Sequence, residues 1–226
     1  MKLAIIGAGN IGSAIARGLG SSKIINASDI YCTDLIPEKL DRIKEKNANI
    51  HVTTDNMEAV KGAEIVIVAV KPWFVEAAIN GIKNALDYKR QIVVSIAAGI
   101  EFEQLCRFFK KNGDDFPAIF RIIPNTAIEV KESVNFVSAY NATQEQTNTI
   151  KKIFDELGLT ILIEERLIGA GTALASCGIA YAFRYIRAAI EGAVELGLYP
   201  EQAKIIEMQT LKGAVALLEP DRKSVV

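Results

Sequence analysis

The chain opens on a short apolar run, Leu3–Ile6, which leads directly into the stretch Gly7-Ala8-Gly9-Asn10-Ile11-Gly12. In a GxGxxG fingerprint the first glycine permits a tight turn, the second lets the backbone approach a pyrophosphate, and the third lets helix and strand pack closely. The stretch follows a predicted strand and precedes apolar residues at helical spacing, Ile11–Leu19, and this context favours a dinucleotide-binding turn over a glycine turn that binds nothing. We therefore predict that the dinucleotide contacts Gly7, Ala8, Gly9, Asn10, Ile11 and Gly12.

Beyond this turn, short β-branched runs alternate with helical patterns. The run Ile65–Val70 consists almost wholly of Ile, Val and Ala, which is typical of a strand buried on both faces of a parallel sheet. The alternation predicts an α/β fold with a Rossmann-type doubly wound sheet. The predicted strands are Leu3–Ile6, Ile30–Thr33, His51–Val52, Ile65–Val70, Ile92–Ile96, Ala118–Ile123, Asn135–Tyr140 and Thr160–Ile163. The predicted helices between them are Ile11–Leu19, Pro37–Lys46, Asp55–Val60, Phe74–Leu86, Phe102–Lys110 and Gln144–Leu157.

After Glu165 the pattern becomes helical, with a break at Gly197–Pro200. We predict a dinucleotide-binding domain over residues 1–165 and a small all-α domain for dimerisation and substrate binding over residues 166–226. Two long helices cannot bury a core alone, so we expect them to interlock with those of a second copy in a homodimer or higher homo-oligomer. The uncharged stretch Leu167–Phe183 is short for a membrane span, and a helix in a protein interface is the favoured interpretation.

Asp34 ends the second predicted strand, about 20 residues after the glycine turn, where an acidic side chain commonly accepts hydrogen bonds from the adenosine ribose. A carboxylate there would repel the 2′-phosphate of NADP, and no arginine occurs among residues 33–41, although Lys39 and Arg42 are near. We therefore expect NAD or NADP as the cofactor, with NAD favoured. The alternative is that Asp34 only starts the loop or caps the next helix.

The composition excludes several other classes of function. Charge is balanced, with 26 basic and 27 acidic residues, so neither nucleic acid nor a membrane surface is an expected partner. Three scattered cysteines and a single histidine, His51, make a metal site improbable, and none is predicted. The unpaired cysteines and the lack of a signal peptide favour the cytoplasm.

Several further motifs give the chain a resemblance to pyrroline-5-carboxylate reductases over residues 1–219. The motifs occur in the order and spacing of that family, which is more specific than GxGxxG alone. They are Ala69-Val70-Lys71-Pro72, Ser95-Ile96-Ala97-Ala98-Gly99, Arg121-Ile122-Ile123-Pro124-Asn125-Thr126, and Gln209-Thr210 with Gly213-Ala214. The family reduces a cyclic imine to L-proline with NADH or NADPH, the last step of proline biosynthesis. A protonated imine is already electrophilic, so a site without histidine or metal is compatible with this reaction.

The resemblance also implies roles for individual residues. It adds cofactor contacts at Asn56, Ala69, Val70, Lys71, Pro72, Ala97, Ala98 and Gly99, and substrate contacts at Asn125, Thr126 and Glu165. Each group has a structural alternative: Asn56 as a first-turn helix residue, Lys71 as a solvated loop lysine, Asn125 and Thr126 as an ordinary turn, and Glu165 as a charge favoured by the helix dipole. No residue is assigned a catalytic role.

The chain departs from the family in two places. Cys177 and Ile179 stand where serine and proline are usual, and Arg187 where an acidic residue is common. Family chains continue beyond Leu218 through a loop that binds the substrate, whereas here residues 220–226 resemble nothing in the family. From this we expect a form that binds cofactor but reduces the imine poorly.

Two other functions remain open at this point. β-Hydroxyacid dehydrogenases share the predicted architecture, but they place a catalytic lysine where this chain has Ala175, in Gly169-Ala170-Gly171-Thr172-Ala173-Leu174-Ala175. The second alternative is a dinucleotide-binding protein without catalysis.

Overall fold

The computed structural model describes residues 1–111 and 115–218. The tail at residues 220–226, which resembles nothing in the family, lies outside the described residues. The strands are β1 (Leu3–Ile6), β2 (Ile30–Thr33), β3 (His51–Thr53), β4 (Ile65–Val68), β5 (Ile92–Ser95), β6 (Ala118–Ile123), β7 (Ser133–Tyr140) and β8 (Gly158–Leu162). The α-helices are α1 (Asn10–Gly20), α2 (Pro37–Lys46), α3 (Asn56–Val60), α4 (Val75–Ile82), α5 (Phe102–Phe109), α6 (Gln144–Asp155), α7 (Ile168–Gly171), α8 (Gly178–Glu195) and α9 (Pro200–Leu217).

All eight strands form one sheet, in the order β3-β2-β1-β4-β5-β6-β7-β8. The first six pair in parallel and have the Rossmann order, which reverses between β1 and β4. β7 runs antiparallel to β6, and β8 runs parallel to β7. The connection between β6 and β7 holds one short 3₁₀ helix, Thr126–Val130, and is too short for a crossover that would keep the strands parallel. The reversal at β7 refines the predicted doubly wound sheet.

Helices cover both faces of the sheet, and each face has its own apolar core. Strand residues of one parity, such as Ile5 and Ile67, belong to the cluster that includes Ile15 of α1 and Ile43 of α2. Residues of the other parity, such as Val66, pack with Val75 and Ile79 of α4 and with Leu105 of α5. The central strands are therefore buried on both faces, as the apolar run of β4 predicted.

Two predicted strands extend beyond the observed ones. The predicted strand Ile65–Val70 is two residues longer than β4, and the predicted strand Ile92–Ile96 is one residue longer than β5. In each case the chain leaves the sheet while it is still apolar. Ala69 and Val70 are only partly buried, and the amide of Ile96 still donates to the Val68 carbonyl at 3.2 Å. Composition alone cannot locate such an end, because the residues just past a strand remain against the core.

The chain divides into two compact units, one over Met1–Ser176 and one that begins at Cys177. In the second unit α8 and α9, each of 18 residues, pack against each other. Within its described part, α8 has no fully buried residue and α9 has only Ala203. The predicted domain boundary near residue 165 stays a prediction.

The predicted long helix Leu167–Leu196 is not a regular α-helix throughout. A 3₁₀ turn, Glu165–Leu167, and α7 are followed by a π-helical stretch, Thr172–Cys177, before α8 begins. By length and composition, one helical stretch among the described residues, Glu165–Glu195, could cross a membrane, with a mean hydropathy of 1.2. One such helix is weak support for a membrane span, because helices in the core of soluble proteins can have the same length and composition.

Candidate functional site

The glycine turn connects the carboxyl end of β1 to the start of α1 at the point where the strand order reverses. The amide of Gly7 donates to the Thr33 carbonyl of β2 at 2.8 Å, and the amide of Ala69 donates to the Ile6 carbonyl at 2.7 Å. The Ser13 hydroxyl donates to the Ala8 carbonyl at 2.8 Å and closes the turn from the helix side. Ligands of open α/β sheets bind at such a switch point, so the turn is the centre of the candidate site.

Each glycine of the turn meets a different physical requirement. Gly7 has a φ of +105°, a backbone conformation that residues other than glycine rarely adopt. A Cβ on Gly12 would lie 1.9 Å from the Gly7 carbonyl oxygen and 3.1 Å from the Ala69 Cβ, so this position is closed by backbone contact. A Cβ on Gly9 would meet nothing within 4 Å. Space is therefore open over Gly9, in front of the first turn of α1, where backbone amides favour an anion.

Asp34 follows β2 at the same edge of the sheet, and its carboxylate is closely held. The amide of Ala8 donates to one oxygen at 2.9 Å, and the amide of Ile36 donates to the other at 3.0 Å. The Lys39 ammonium lies 3.2 Å from both oxygens. Asp34 therefore starts the loop before α2, which is the structural alternative given above for this residue. It also connects that loop to the glycine turn.

A cleft of about 270 Å³ adjoins this carboxylate and has a basic lining. Gly9, Asn10 and Ser13 form its floor at the start of α1. Arg17 of α1 and Lys39 and Arg42 of α2 supply positive charge, and Arg17 is paired with Glu129 at 2.5 Å. Lys39 and Arg42 were recognised from the sequence as nearby basic residues, whereas Ser13, Arg17 and Glu129 were not. The helical spacing of Ser13 and Arg17 on one face of α1 was the available signal.

The other predicted cofactor residues lie along the same edge of the sheet. Ala69, Val70, Lys71 and Pro72 follow β4, and Ala97, Ala98 and Gly99 follow β5. The side chain of Lys71 is exposed, which agrees with its interpretation as a solvated loop lysine, and Ala97 is buried. Asn56 begins α3, and its side-chain oxygen accepts from the Thr33 hydroxyl at 2.5 Å. The structure thus brings these residues together at the carboxyl edge, next to the glycine turn.

The predicted substrate residues occupy three different environments. Asn125 is buried and caps the 3₁₀ helix after β6, where its side-chain oxygen accepts from the Ala127 amide at 3.0 Å. Thr126 is exposed. Glu165 accepts from the Phe102 amide at 2.7 Å and forms an ion pair with Arg121, whose side chain is 5% exposed. The Arg121 ion pair was not anticipated, although Arg121 belongs to one of the quoted motifs.

No group of three or more His, Cys, Asp and Glu side chains in residues 1–111 and 115–218 is arranged to hold a metal ion. The ionisable groups with resolved shifts lie away from the glycine turn, with one exception. Burial, followed by the nearby Asp34 charge, raises the pKa of the Cys32 thiol to about 12. Cys32 is a core residue of β2, so the shift reflects packing.

Comparison with known proteins gives matches to both parts of the chain. Residues 2–99 match the family model described as NADP oxidoreductase coenzyme F420-dependent, and residues 165–225 match the model for pyrroline-5-carboxylate reductase dimerisation. The chain is 32% identical over 230 residues to pyrroline-5-carboxylate reductase 2 of Dictyostelium discoideum, covering 96% of this chain and 76% of that relative. The chain belongs to the pyrroline-5-carboxylate reductase family.

Two further members of the pyrroline-5-carboxylate reductase family show the extent of the likeness. Pyrroline-5-carboxylate reductase 1 of Dictyostelium discoideum is 36% identical and aligns with 96% of this chain, which spans 40% of that relative's length. A crystal structure of the Plasmodium falciparum pyrroline carboxylate reductase with NADP bound aligns with the whole chain and 80% of that protein, with 26% identity and a TM-score of 0.86. The comparisons confirm the family and the α/β fold that the sequence motifs predicted.

Proposed function

We propose that this chain is a pyrroline-5-carboxylate reductase, which transfers a hydride from a reduced nicotinamide dinucleotide to a cyclic imine and yields L-proline. The observation that carries the proposal is the glycine turn at the switch point, with open space over Gly9. Residues 165–225 match the model for pyrroline-5-carboxylate reductase dimerisation, and residues 2–99 match a model for NADP oxidoreductases. Relatives that bear the reductase name align with 96% of the chain.

The described residues would act by binding and positioning. The backbone at Gly9 and the first turn of α1 favour the negative charge of a pyrophosphate. The turns after β4 and β5 present small side chains and backbone, which suits close packing of a flat ring. When bound, the reduced nicotinamide supplies the hydride that forms a C–H bond at the imine carbon, while the C=N π electrons move to nitrogen. The protonated imine needs no acid to activate it, so orientation and exclusion of water supply most of the rate.

At the substrate end we propose Asn125, Thr126 and Glu165. Asn125 and Thr126 follow β6 at the carboxyl edge, one strand beyond the turn after β5. Glu165 is held by Arg121 and by the Phe102 amide, which would give its carboxylate a defined orientation. A held carboxylate can face a cationic substrate without rotating away from it.

For the cofactor we propose a modest preference for NADH. The Asp34 carboxylate lies at the end of β2 and is 11% exposed, where it would accept hydrogen bonds from ribose hydroxyls in place of those from Lys39. For the assembly we propose a homodimer in the cytoplasm. Large apolar side chains on α8 and α9 are exposed in the single chain, which favours a partner subunit that covers them. These side chains include Tyr181, Phe183, Tyr185, Ile205, Ile206 and Met208. All three cysteines are free, which favours a reducing compartment.

The proposal is tested with the substitution Gly9→Val. Gly9 has a φ of −70°, and an added Cβ meets nothing within 4 Å, so valine fits the backbone and fills the space proposed for the pyrophosphate. The matched control is Gly81→Val, on the exposed side of α4, where a Cβ also meets nothing. NADH is titrated into each protein, and pyrroline-5-carboxylate is then added while the NADH absorbance is recorded.

We expect wild type and Gly81→Val to bind NADH equally well and to consume it, at the low rate expected from the sequence, when the imine is present. We expect Gly9→Val, at the N-cap of α1, to lose only a few degrees in melting temperature. We expect it to lose NADH binding by on the order of a hundredfold, since a side chain occupies the phosphate position. Binding without consumption would show a dinucleotide-binding protein and contradict the reductase. Equal binding by wild type and Gly9→Val would contradict the glycine turn as the cofactor site.

A further inference from the structure

The carboxylate of Asp34 already has a full set of partners. Each of its oxygens accepts from one backbone amide and lies 3.2 Å from the Lys39 ammonium. A carboxylate offers about four lone-pair positions, and all four are used here. Ribose hydroxyls can therefore bind Asp34 only where Lys39 gives up its contacts. The two backbone amides are fixed by the glycine turn and by the loop before α2.

Lys39 also changes the electrostatics of the site. Its ammonium is held against a carboxylate that is only 11% exposed, so the pair presents little net charge to a ligand. A lone carboxylate in that position would repel a 2′-phosphate, but a neutralised one would not. The cleft beside it adds Arg42, which has no ion pair among the described residues, and Arg17, which is paired with Glu129. The basic groups around the cleft therefore outnumber the acidic ones.

We propose that Lys39 is a specificity-determining residue for the cofactor. It neutralises Asp34 and, with Arg42, offers positive charge to a 2′-phosphate, so the site accepts NADPH as well as NADH. The inference rests on the dinucleotide function proposed above and explains why the preference for NADH is modest. Without Lys39, the carboxylate would favour the ribose hydroxyls of NADH and repel the phosphate of NADPH.

The test compares ligands that differ only in the 2′-phosphate. ADP-ribose and 2′-phospho-ADP-ribose are titrated by calorimetry into wild type, Lys39→Met and the control Lys46→Met. NADH and NADPH are titrated by fluorescence into the same three proteins. Lys46 lies further along α2, is exposed and carries the same charge, so its removal changes the net charge of the helix equally. The readout is the ratio of the dissociation constants with and without the phosphate.

In wild type we expect the two ratios to lie within about tenfold of unity, because the pair is nearly neutral. In Lys39→Met we expect each ratio to shift by at least about tenfold against the phosphorylated ligand, through loss of one charge-assisted contact and exposure of the Asp34 charge. Affinity for ADP-ribose should hold or rise. In Lys46→Met both ratios should stay within about twofold of wild type, since exposed charges at that distance are screened.

Two results would overturn the inference, and they are distinguishable from each other. Ratios that change equally in Lys39→Met and Lys46→Met would show that only the net charge of α2 matters. A wild type that binds none of the four ligands would contradict the dinucleotide site itself, and with it the proposed function. A ratio that shifts only in Lys39→Met supports both proposals.

Discussion

The first unit of the molecule completes its own core, whereas the second unit leaves most of its apolar surface exposed. In the sheet, all four residues of β1 and of β4 are buried, and helices cover both faces. In the helical pair, no residue of α8 is fully buried within the described part of the chain, and Phe183 is 62% exposed. The first unit therefore buries its apolar residues within itself, whereas the second presents apolar side chains that a partner subunit can cover.

The largest loss of stability should come from adding a side chain at Gly12, where the sheet unit leaves no room for one. In Gly12→Val the new Cβ would overlap the Gly7 carbonyl oxygen at 1.9 Å, so backbone must move at the point where β1, α1 and β4 meet. We expect the free energy of unfolding to fall by about 3 kcal/mol, the upper end for overpacking, and cofactor binding to be lost. Thermal and urea unfolding measure this, with Gly9→Val as the matched control. Equal stability of the two variants would show that this unit is less tightly packed than its contacts indicate.

A smaller loss of stability is expected from breaking the ion pair of Arg121 with Glu165 in the same unit. Arg121→Met removes the partner of Glu165, whose carboxylate is about a third exposed and can regain water. We therefore expect a loss of about 2 kcal/mol in the free energy of unfolding, that of a hydrogen bond to a charged group. Arg90→Met, on an exposed loop, serves as the control and should change stability little. If both variants lose the same amount, the ion pair contributes nothing specific.

The helical unit should respond in assembly and not in the stability of the sheet. Phe183→Ser removes an exposed aromatic side chain from α8, and we expect the dimer dissociation constant to rise by at least about tenfold, as for a central interface aromatic. Arg184→Ser, at the neighbouring position, should leave it within a few-fold. Analytical ultracentrifugation over a concentration series measures both. A wild-type protein that stays monomeric at micromolar concentration would contradict the proposed pairing of the helical unit with a second copy.

The smallest perturbation is a chemical test that measures how fast one cysteine thiol in each unit reacts. Burial, with Asp34 nearby, raises the pKa of Cys32 to about 12, and this thiol should react with a disulfide reagent near pH 8 only through unfolding. Cys177 is exposed in the single chain and should react within minutes in Phe183→Ser. Slower reaction of Cys177 in wild type than in Phe183→Ser would show that a partner covers this unit. Rapid reaction of Cys32 in the folded protein would contradict the closed core.

Much of the sheet was predictable, because its local signals agree with the final structure. The strand Ile30–Thr33, the helix Pro37–Lys46 and the strand Ala118–Ile123 were predicted to the residue. In these segments strand composition or a proline at the first helical turn coincides with the boundary. The ends of β4 and β5 were not, because apolar residues continue past the last residue of each strand. The direction of β7 also escaped prediction, since a strand has the same period in either direction.

The candidate site divides in the same way. GxGxxG and an acidic residue at the end of the second strand are local patterns, and both lie where predicted. The contact of Lys39 with Asp34, the ion pair of Arg17 with Glu129 and the ion pair of Arg121 with Glu165 were not predicted. The last two join residues far apart in the chain. Charges that meet only after the strands have paired leave no periodicity in the sequence.

By itself, then, the sequence determined the fold class, the glycine turn and the family, because each depends on residues close together in the chain or on motifs in a fixed order. Only the tertiary structure decided which charges meet. Lys39 lies within residues 33–41, a segment that has no arginine, yet its effect depends on the side of α2 that faces Asp34. It also decided that α8 remains uncovered in a single chain, because burial is a property of what packs against a helix and not of the helix alone.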